Sequence, residues 1–379
     1  MILLSPGGSV TREGDGPADS LLVGTVEGVF LFERDARIGW CLAKRGLEGV
    51  FVSSLTRLDD GALIAGTHGM GVARSDDGGY TWRLCNRGLS HVDIWVVKRE
   101  RLHGREWLFA GSLPAYLFVS EDGGDSWREL PALREVPSAA QWLFPPPPHM
   151  GHVKDIEALG DRLYVGIEVG ALLRSDNDGQ SFSELPVDPD VGDVDIHKIV
   201  VHAQRPGRIV AATGWGIIIS EDDGATWQKG IPLPRIDYPV PLVMHPRDPD
   251  LLFVAGGEGW PPNWYALGRS RARIARSRDG GRTWERLLGG LPDGQRPTYG
   301  ALAIDAWPDG FAVYAADTDG QIFESRDGGD TWQIIGEAGP VSKGDQYRGL
   351  AKNRPYLMGV DALKPTEAGN SRMSAFGAA

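Results

Sequence analysis

The chain has 379 residues, of which 41% are hydrophobic and 52 are glycine, so it can bury a large core and still needs many turns. The formal net charge of −12 at pH 7 and the lack of a long Lys/Arg run argue against a nucleic-acid or anionic-membrane partner. Because the sequence shows no secretory leader and no apolar run of about 18 residues, we expect a cytoplasmic protein.

A short motif, Ser-x-Asp-x-Gly-x-Thr-Trp, recurs along the chain with Ser replacing Thr in one copy. The copies are residues 75–82, 120–127, 220–227, 277–284 and 325–332, with a weaker copy at 175–182 and a degenerate one around Asp35 and Trp40. Their spacing of roughly 40 to 60 residues indicates a repeat architecture. The motif predicts a tight turn in which the Asp accepts backbone N–H bonds, a Gly takes positive φ and the Trp packs on the next unit.

Each repeat has room for four short strands, as in a propeller blade. In the second repeat we predict strands at residues 50–55, 62–66, 71–75 and 82–85, with the motif between strands 3 and 4. Counting the repeats gives an all-β, seven-bladed β-propeller over residues 1–355, followed by a tail at 356–379. Residues 6–19 look loop-like, and we therefore expect residues 347–353 to close the ring as the innermost strand of blade 1.

The motif resembles the Asp-box, or BNR, repeats of sialidases, sortilin-type receptors, xyloglucan-degrading glucanases and a photosystem II assembly factor. The resemblance implies the propeller fold and no common activity. The sialidases carry Arg-Ile-Pro where this chain has Arg235-Ile236-Asp237, and the glucanases use two propellers. The chain is most similar to single-propeller bacterial glycosyl-hydrolase-like proteins, including the stretches 166–170 and 195–197.

Two connections are longer than a blade requires, at residues 128–152 and 257–273. The first joins strand 4 to strand 1, and the second joins strand 2 to strand 3. These two kinds of connection lie at the same end of a propeller, which we call the site end; the strand 1–2 connections and the boxes lie at the box end. Because long loops commonly carry function, we expect a binding surface at the site end.

Ionisable side chains cluster near that end in neighbouring blades. His91, His152 and His197 lie near the starts of inner strands, Glu168 follows a second strand, and Asp195 precedes His197. One interpretation is a divalent transition-metal site using His152, His197 and Glu168. A second is acid–base chemistry by Glu168, His197, His152 and Asp195, with Lys154 holding an anionic group. A third interpretation is a polar network that only stabilises the structure of the channel rim.

Aromatic and basic residues near the same end are further ligand-binding candidates. They are Trp215, Trp260, Trp264, Tyr299, Tyr347 and Arg269. The Trp rings could stack on sugars, although packing under a loop explains each one taken singly. The hydroxyls of Tyr238, Tyr299 and Tyr347 could line the channel rim, and Arg269 could bind an anionic group or only form part of a solvated surface. The two cysteines, Cys41 and Cys85, are expected to be free, buried thiols.

These observations predict a channel pocket that binds a small polar ligand such as a carbohydrate and hydrolyses it by His/Glu/Asp chemistry. The alternatives are a non-catalytic protein-binding or assembly scaffold, and a metal-dependent lyase or oxidoreductase. No cofactor follows with certainty from the residues, and the oligomeric state does not follow from them.

Overall fold

The computed structural model describes residues 1–146, 148–187 and 194–342. The chain begins with three short strands that run along the central axis: β1 (Ile2–Leu4), β2 (Gly7–Gly8) and β3 (Thr11–Glu13). Each pairs in parallel with a different blade, β1 with blade 1, β2 with blade 2 and β3 with blade 7. The N-terminal segment therefore links the first two blades to the last.

The remaining strands form seven sheets in chain order. Blade 1 is completed by β4 (Ser20–Thr25), β5 (Gly28–Asp35) and β6 (Gly39–Gly46). Blade 2 contains β7 (Val52–Arg57), β8 (Leu63–Thr67), β9 (Gly71–Ser75) and β10 (Arg83–Leu84). Blade 3 contains β11 (Ile94–Leu102), β12 (Arg105–Ser112), β13 (Leu117–Ser120) and β14 (Arg128–Glu129).

The second half of the ring repeats the pattern. Blade 4 contains β15 (His152–Leu159), β16 (Arg162–Glu168), β17 (Leu172–Ser175) and β18 (Ser183–Glu184). Blade 5 contains β19 (Ile196–Val201), β20 (Ile209–Thr213), β21 (Gly216–Ser220) and β22 (Gln228–Ile231). Blade 6 contains β23 (Tyr238–His245), β24 (Asp248–Gly257), β25 (Arg273–Ser277) and β26 (Glu285–Arg286). Blade 7 contains β27 (Tyr299–Trp307), β28 (Gly310–Asp317), β29 (Gln321–Ser325) and β30 (Gln333–Glu337).

The all-β, seven-bladed propeller predicted from the repeats is confirmed. The closure of blade 1 corrects the prediction, because β1 occupies the innermost position, beside β4, that we had assigned to residues 347–353. Ile2 and Leu4 fit this place since both are buried in the core at that seam. Residues 347–353, the boundary at 355 and the tail at 356–379 lie outside the described part of the chain.

The boxes form the turns between the third and fourth strands, as predicted. In the first box, Asp77 accepts the Thr81 backbone N–H at 2.9 Å and the Thr81 hydroxyl at 2.6 Å, and Gly79 N–H donates to the Ser75 hydroxyl. These hydrogen bonds lower the pKa of Asp77 to about 2. The other strong boxes repeat this pattern, so the boxes act as structural turns.

Neighbouring blades pack most closely near the axis, where the space between them narrows. Glycines near the ends of successive second strands face the start of the next blade's innermost strand: Gly24 faces Val52, Gly66 faces Ile94, Gly111 faces Val153 and Gly166 faces Ile196. A Cβ on Gly111 or Gly166 would overlap its neighbour. Close packing at these seams therefore requires glycine.

Both long connections leave their sheets at the site end. The first contains two 3₁₀ helices, Pro131–Glu135 and Ala139–Gln141, between β14 and β15. The second contains the helix α1 (Pro261–Leu267) between β24 and β25. Cys41 and Cys85 are both free, Cys85 buried and Cys41 half-buried. Among the described residues, no helix has the length and apolar character needed to cross a bilayer.

Candidate functional site

The predicted ionisable residues of blades 4 and 5 meet at the site end. His152 begins β15 and pairs in register with Glu168, the last residue of β16. Asp195 and His197 lie at the start of β19 in the next blade. The side chains of His152, Glu168 and His197 are fully buried, whereas the Asp195 side chain is 16% exposed. We call His152, Lys154, Glu168, Asp195 and His197 the blade 4–5 cluster.

Two donors hold one oxygen of the Glu168 carboxylate. His152 donates from Nε2 to Glu168 Oε2 at 2.9 Å, and the Lys154 ammonium contacts the same oxygen. Glu168 Oε1 faces His197 Nε2 at 4.0 Å. The two donors therefore fix the carboxylate orientation and direct its second oxygen towards blade 5.

The His197 ring is oriented by the backbone of blade 6. Its Nδ1 lies 2.6 Å from the carbonyl oxygen of Pro239, and a carbonyl only accepts, so Nδ1 carries a hydrogen. Nε2 then faces Asp195 Oδ1 at 3.2 Å. Despite this short distance, the two atoms are not aligned for a hydrogen bond, and both are buried.

Backbone contacts bring the two blades' loops together. Gly170 forms an antiparallel bridge with Val194, which ties the residues after Glu168 to those before Asp195. Gly214 donates its N–H to the Asp195 carbonyl at 3.0 Å, and a Cβ on Gly214 would overlap the Asp195 carboxylate. Val169 has φ of 53°, an unfavourable conformation for a β-branched residue. Such strain is typical of functional sites.

A β-bulge recurs in the innermost strands and explains which side chains enter the cluster. In blades 2, 3, 4, 5 and 7 the pairing with the second strand skips one residue near the strand start. The skipped residues are Ser53, Trp95, Lys154, His197 and Gly300. Bulges redirect side chains and are common beside active sites. Lys154 and His197 belong to the blade 4–5 cluster, and Trp95 packs against it.

Aromatic rings form one wall of the cluster. The Trp95 ring lies 3.6 Å from the His152 ring, between centroids, and Lys154 Nζ lies 5.0 Å from the Trp95 centroid in a cation–π contact. Phe144, from the first long connection, meets His152 edge-on at 4.8 Å. The surroundings of His152 and Lys154 are therefore of low polarity, which strengthens electrostatic interactions there.

The second long connection reaches the cluster through Tyr238. The Tyr238 ring lies 4.5 Å from His197 and 5.7 Å from Trp264. Trp264 is fully buried and donates a hydrogen bond to the Glu258 carbonyl, so its role is packing within its own loop. Trp260, by contrast, is 40% exposed. Both long connections thus flank the blade 4–5 cluster.

The other predicted ligand-binding residues lie in different places. Trp215 is half-buried beside Gly214, next to the cluster. His91 stacks on Tyr116 at 3.8 Å, and within the described residues it has no contact with the cluster. Arg269 is exposed on the second long connection. Tyr299 is buried in the seam between blades 6 and 7, and Tyr347 lies outside the described residues.

Two features were missed at the sequence level. Trp95 and Phe144 form walls of the cluster but were not among the predicted site residues, and Tyr238 was predicted only as part of a hydroxyl-lined rim. Trp95 had a usable signal, because it follows the first apolar residue of its strand just as Lys154 and His197 do. The second feature is Asp317, which is buried at the end of β28, and this burial raises the pKa of Asp317 to about 7.

No protein-family model matches the sequence, and no curated protein matches it. Among solved structures, a GH74 xyloglucanase from Xanthomonas campestris is similar with a TM-score of 0.62 and 18% identity, over 88% of this chain and 55% of that protein. An ancestral GH74 enzyme gives a TM-score of 0.59 and 16% identity, over 76% of this chain and 39% of that protein. The chain thus spans about half the length of the xyloglucanase, or less for the ancestral enzyme.

A second group of similar structures are YCF48 proteins. YCF48 bound to D1 peptide gives a TM-score of 0.50 and 21% identity over 75% of this chain and 80% of that protein. YCF48 from Cyanidioschyzon merolae gives 0.51 and 16%, over 75% and 84% of the two chains. Identities this low show a shared fold alone. The chain is therefore a seven-bladed β-propeller of the same general architecture as GH74 enzymes and YCF48.

Proposed function

We propose that this propeller binds a small polar, carbohydrate-like ligand at the site end and acts on it by acid–base chemistry in the blade 4–5 cluster. The observation that carries the proposal is the pair formed by His197 Nε2 and Asp195 Oδ1. Both atoms are buried and 3.2 Å apart, yet neither has a hydrogen-bond partner among the residues that the structure describes. Buried polar atoms are normally satisfied, so this arrangement fits a site that is completed by a ligand.

The exposure gradient indicates which residue meets the ligand. Asp195 retains 16% side-chain exposure, whereas Glu168 and His197 have none. Asp195 is therefore the residue of the three that exchanges a proton with a ligand hydroxyl or a water molecule. Its exposed part excludes Oδ1, which is buried beside His197. Glu168 is a positioning residue, because its burial prevents contact with a bulky sugar. The half-buried Trp215, beside Gly214, offers a stacking surface.

A cavity of about 530 Å³ lies elsewhere, at the box end. Its lining includes Arg12 and Arg99, but these are already paired with Asp305 and Asp59. It contains no histidine. Because volume alone supplies no chemistry, we assign function to the ionisable blade 4–5 cluster rather than to this cavity.

The proposal is tested with a panel of mono- and oligosaccharides, using saturation-transfer NMR for binding and chromatography of products for hydrolysis. Asp195→Asn keeps the shape of the side chain and removes its proton exchange. We expect turnover to fall by at least about 100-fold with an unchanged circular dichroism spectrum. Asp161→Asn is the matched control, because Asp161 lies 3.0 Å from His103 in an exposed pair at the box end. Equal turnover in the wild type and Asp195→Asn would contradict the assignment.

A second candidate function is a protein-binding scaffold. Trp260 and Leu267 are exposed on the connection that contains α1, next to a groove of about 440 Å³ that Arg269 also lines. One structurally similar protein is YCF48 bound to D1 peptide. A scaffold predicts that Trp260→Ala abolishes capture of a peptide partner while Asp195→Asn has no effect on it. The opposite pattern supports the pocket.

A further inference from the structure

We infer that Glu168, Asp195 and His197 together bind a divalent transition-metal ion. The inference deepens the function proposed above and depends on that proposal for its catalytic meaning. Each of the three residues offers one ligand atom, and these atoms lie within 4.8 Å of one another. The set differs from the predicted one, His152, His197 and Glu168, because Asp195 takes the place of His152.

The tautomer of His197 supports a metal ligand. Its Nδ1–H donates to the Pro239 carbonyl, so a neutral ring presents the Nε2 lone pair to the two carboxylates. A lone pair at 3.2 Å from Asp195 Oδ1 and 4.0 Å from Glu168 Oε1 is repelled unless a cation lies between them. Metal-binding histidines usually have this second-nitrogen hydrogen bond to a carbonyl or carboxylate.

The distances between these atoms fit a bound metal ion. Within the described residues, His197 Nε2 and Asp195 Oδ1 are buried without a hydrogen bond to each other or to another group. Metal–ligand bonds of about 2.1 Å at tetrahedral or octahedral angles place neighbouring ligand atoms roughly 3.0–3.4 Å apart with no hydrogen bond between them. The observed 3.2 Å between His197 and Asp195 fits this value.

Glu168 is held in a suitable orientation to be the third ligand. Its Oε2 receives the His152 and Lys154 donors, and its Oε1 is the oxygen nearer His197. His152 thus orients a ligand carboxylate instead of binding the ion itself. This is the usual role of residues around the ligands of a metal centre.

The donor set indicates the kind of ion and ligand. One imidazole nitrogen and two carboxylate oxygens suit Zn²⁺ or Mn²⁺. Asp195 is the only one of the three side chains with any exposure, so a polar ligand would approach the ion from the Asp195 side. Neighbouring hydroxyl groups or a hydroxy acid on the polar ligand could occupy open coordination positions of the ion. The ion would then serve as the Lewis acid for the ligand's oxygen atoms.

In the test, chelator-treated protein is titrated with Zn²⁺ alone and with Mn²⁺ alone. Calorimetry measures the binding, thermal unfolding measures the stability, and elemental analysis measures the metal content. We expect one equivalent to bind and the melting temperature to rise. Asp195→Asn and His197→Ala should each weaken Kd by about 100-fold. His103→Ala is the control, because His103 also lies beside two carboxylates, Asp161 and Asp178, but its side chain is exposed. It should bind the ion as the wild type does.

Two results would overturn the inference: uptake below about a tenth of an equivalent by the wild type, or unchanged affinity in Asp195→Asn. If His197→Ala fails to fold, the Asp195→Asn result decides the question alone, because this substitution is isosteric and partly exposed. Saccharide binding that persists in EDTA would contradict a role for the metal in ligand binding and leave the proposed function intact. Metal binding that requires Asp195, without any saccharide binding, would support the metal site and contradict the proposed function.

Discussion

Replacing Asp317 by Asn removes an acidic group that the fold buries completely. Its Oδ1 accepts the backbone N–H groups of Asp319 and Gln321, whereas Oδ2 has no partner within the described residues. Burial raises the pKa of Asp317 to about 7, and the nearby charge of Asp319 acts in the same direction. An Asn side chain can keep both Oδ1 hydrogen bonds without ever ionising.

The sign and size of the effect follow from proton linkage. Well below pH 3.8, Asp317 is protonated in both the folded and the unfolded protein. Between pH 4 and about 7 the unfolded protein loses this proton and the folded protein keeps it, so stability falls as pH rises. A pKa raised from 3.8 to about 7 corresponds to at most about 4 kcal/mol. The stability of Asp317→Asn should not fall in this way as the pH rises.

The assay is thermal unfolding of both proteins between pH 4 and 8. For a chain of this length, about 4 kcal/mol corresponds to roughly 5 °C, so the melting temperature of Asp317→Asn relative to the wild type should rise by up to that amount across the range. Asp327→Asn is the control from the same blade. Partial burial acts to raise the pKa of Asp327, but hydrogen bonds from Thr331 and Ser325 lower it. The difference in stability between Asp327→Asn and the wild type should therefore be constant over this pH range. A constant difference for Asp317→Asn would refute the reasoning.

Three further substitutions test particular features of the structure. Gly214→Ala should displace the Asp195 carboxylate, lowering metal or ligand affinity at least about tenfold while costing less than about 1 kcal/mol of stability, because only a flexible side-chain end must move. Val169→Asn should stabilise the protein by about 1 kcal/mol in denaturant unfolding, because Asn tolerates the left-handed conformation better. Gly111→Ala should destabilise it by about 1–3 kcal/mol through overlap with Val153.

The two glycine substitutions share a matched comparison, Gly16→Ala. It introduces a Cβ with no described residue within 4 Å at a backbone conformation that tolerates it, and should change neither affinity nor stability. Unchanged affinity in Gly214→Ala would show that Asp195 does not depend on this close approach. A loss of stability in Val169→Asn would show that the buried part of the Val side chain outweighs the strain. A neutral Gly111→Ala would contradict the tight seam between blades 3 and 4.

The repeats could be predicted because each box is a local structure. Its Ser, Asp, Gly and Thr lie within a few residues of one another and satisfy each other's hydrogen bonds, as in the box from Ser75 to Thr81. Closure depended instead on contacts between distant parts of the chain. Ile2–Leu4 is too short to show a periodic pattern, and its parallel pairing with β4 has no local signal. The C-terminal copy of the inner-strand pattern therefore gave the wrong partner for blade 1.

The site was only partly predictable for a similar reason. Glu168, Asp195, His197 and Lys154 stood out as polar residues near strand ends, and the structure brings them together. The bulge that admits Trp95 beside them shifts the strand by one residue, which breaks the alternation on which strand patterns depend. The ring contacts of Phe144 and Tyr238 depend on how two long connections fold back, and loop sequences do not specify that.

The position of the N-terminal strands bears on how a ligand could enter. The segment between β1 and β2 turns near Ser5, whose hydroxyl accepts the Leu55 N–H. At Gly7 a Cβ would lie 3.2 Å from the Trp95 carbonyl oxygen. The segment therefore reaches the level of the bulges from the box end and lies beneath the aromatic wall of the blade 4–5 cluster. Since Asp195 is the most exposed of the three proposed metal ligands, we expect a ligand to approach from the site end.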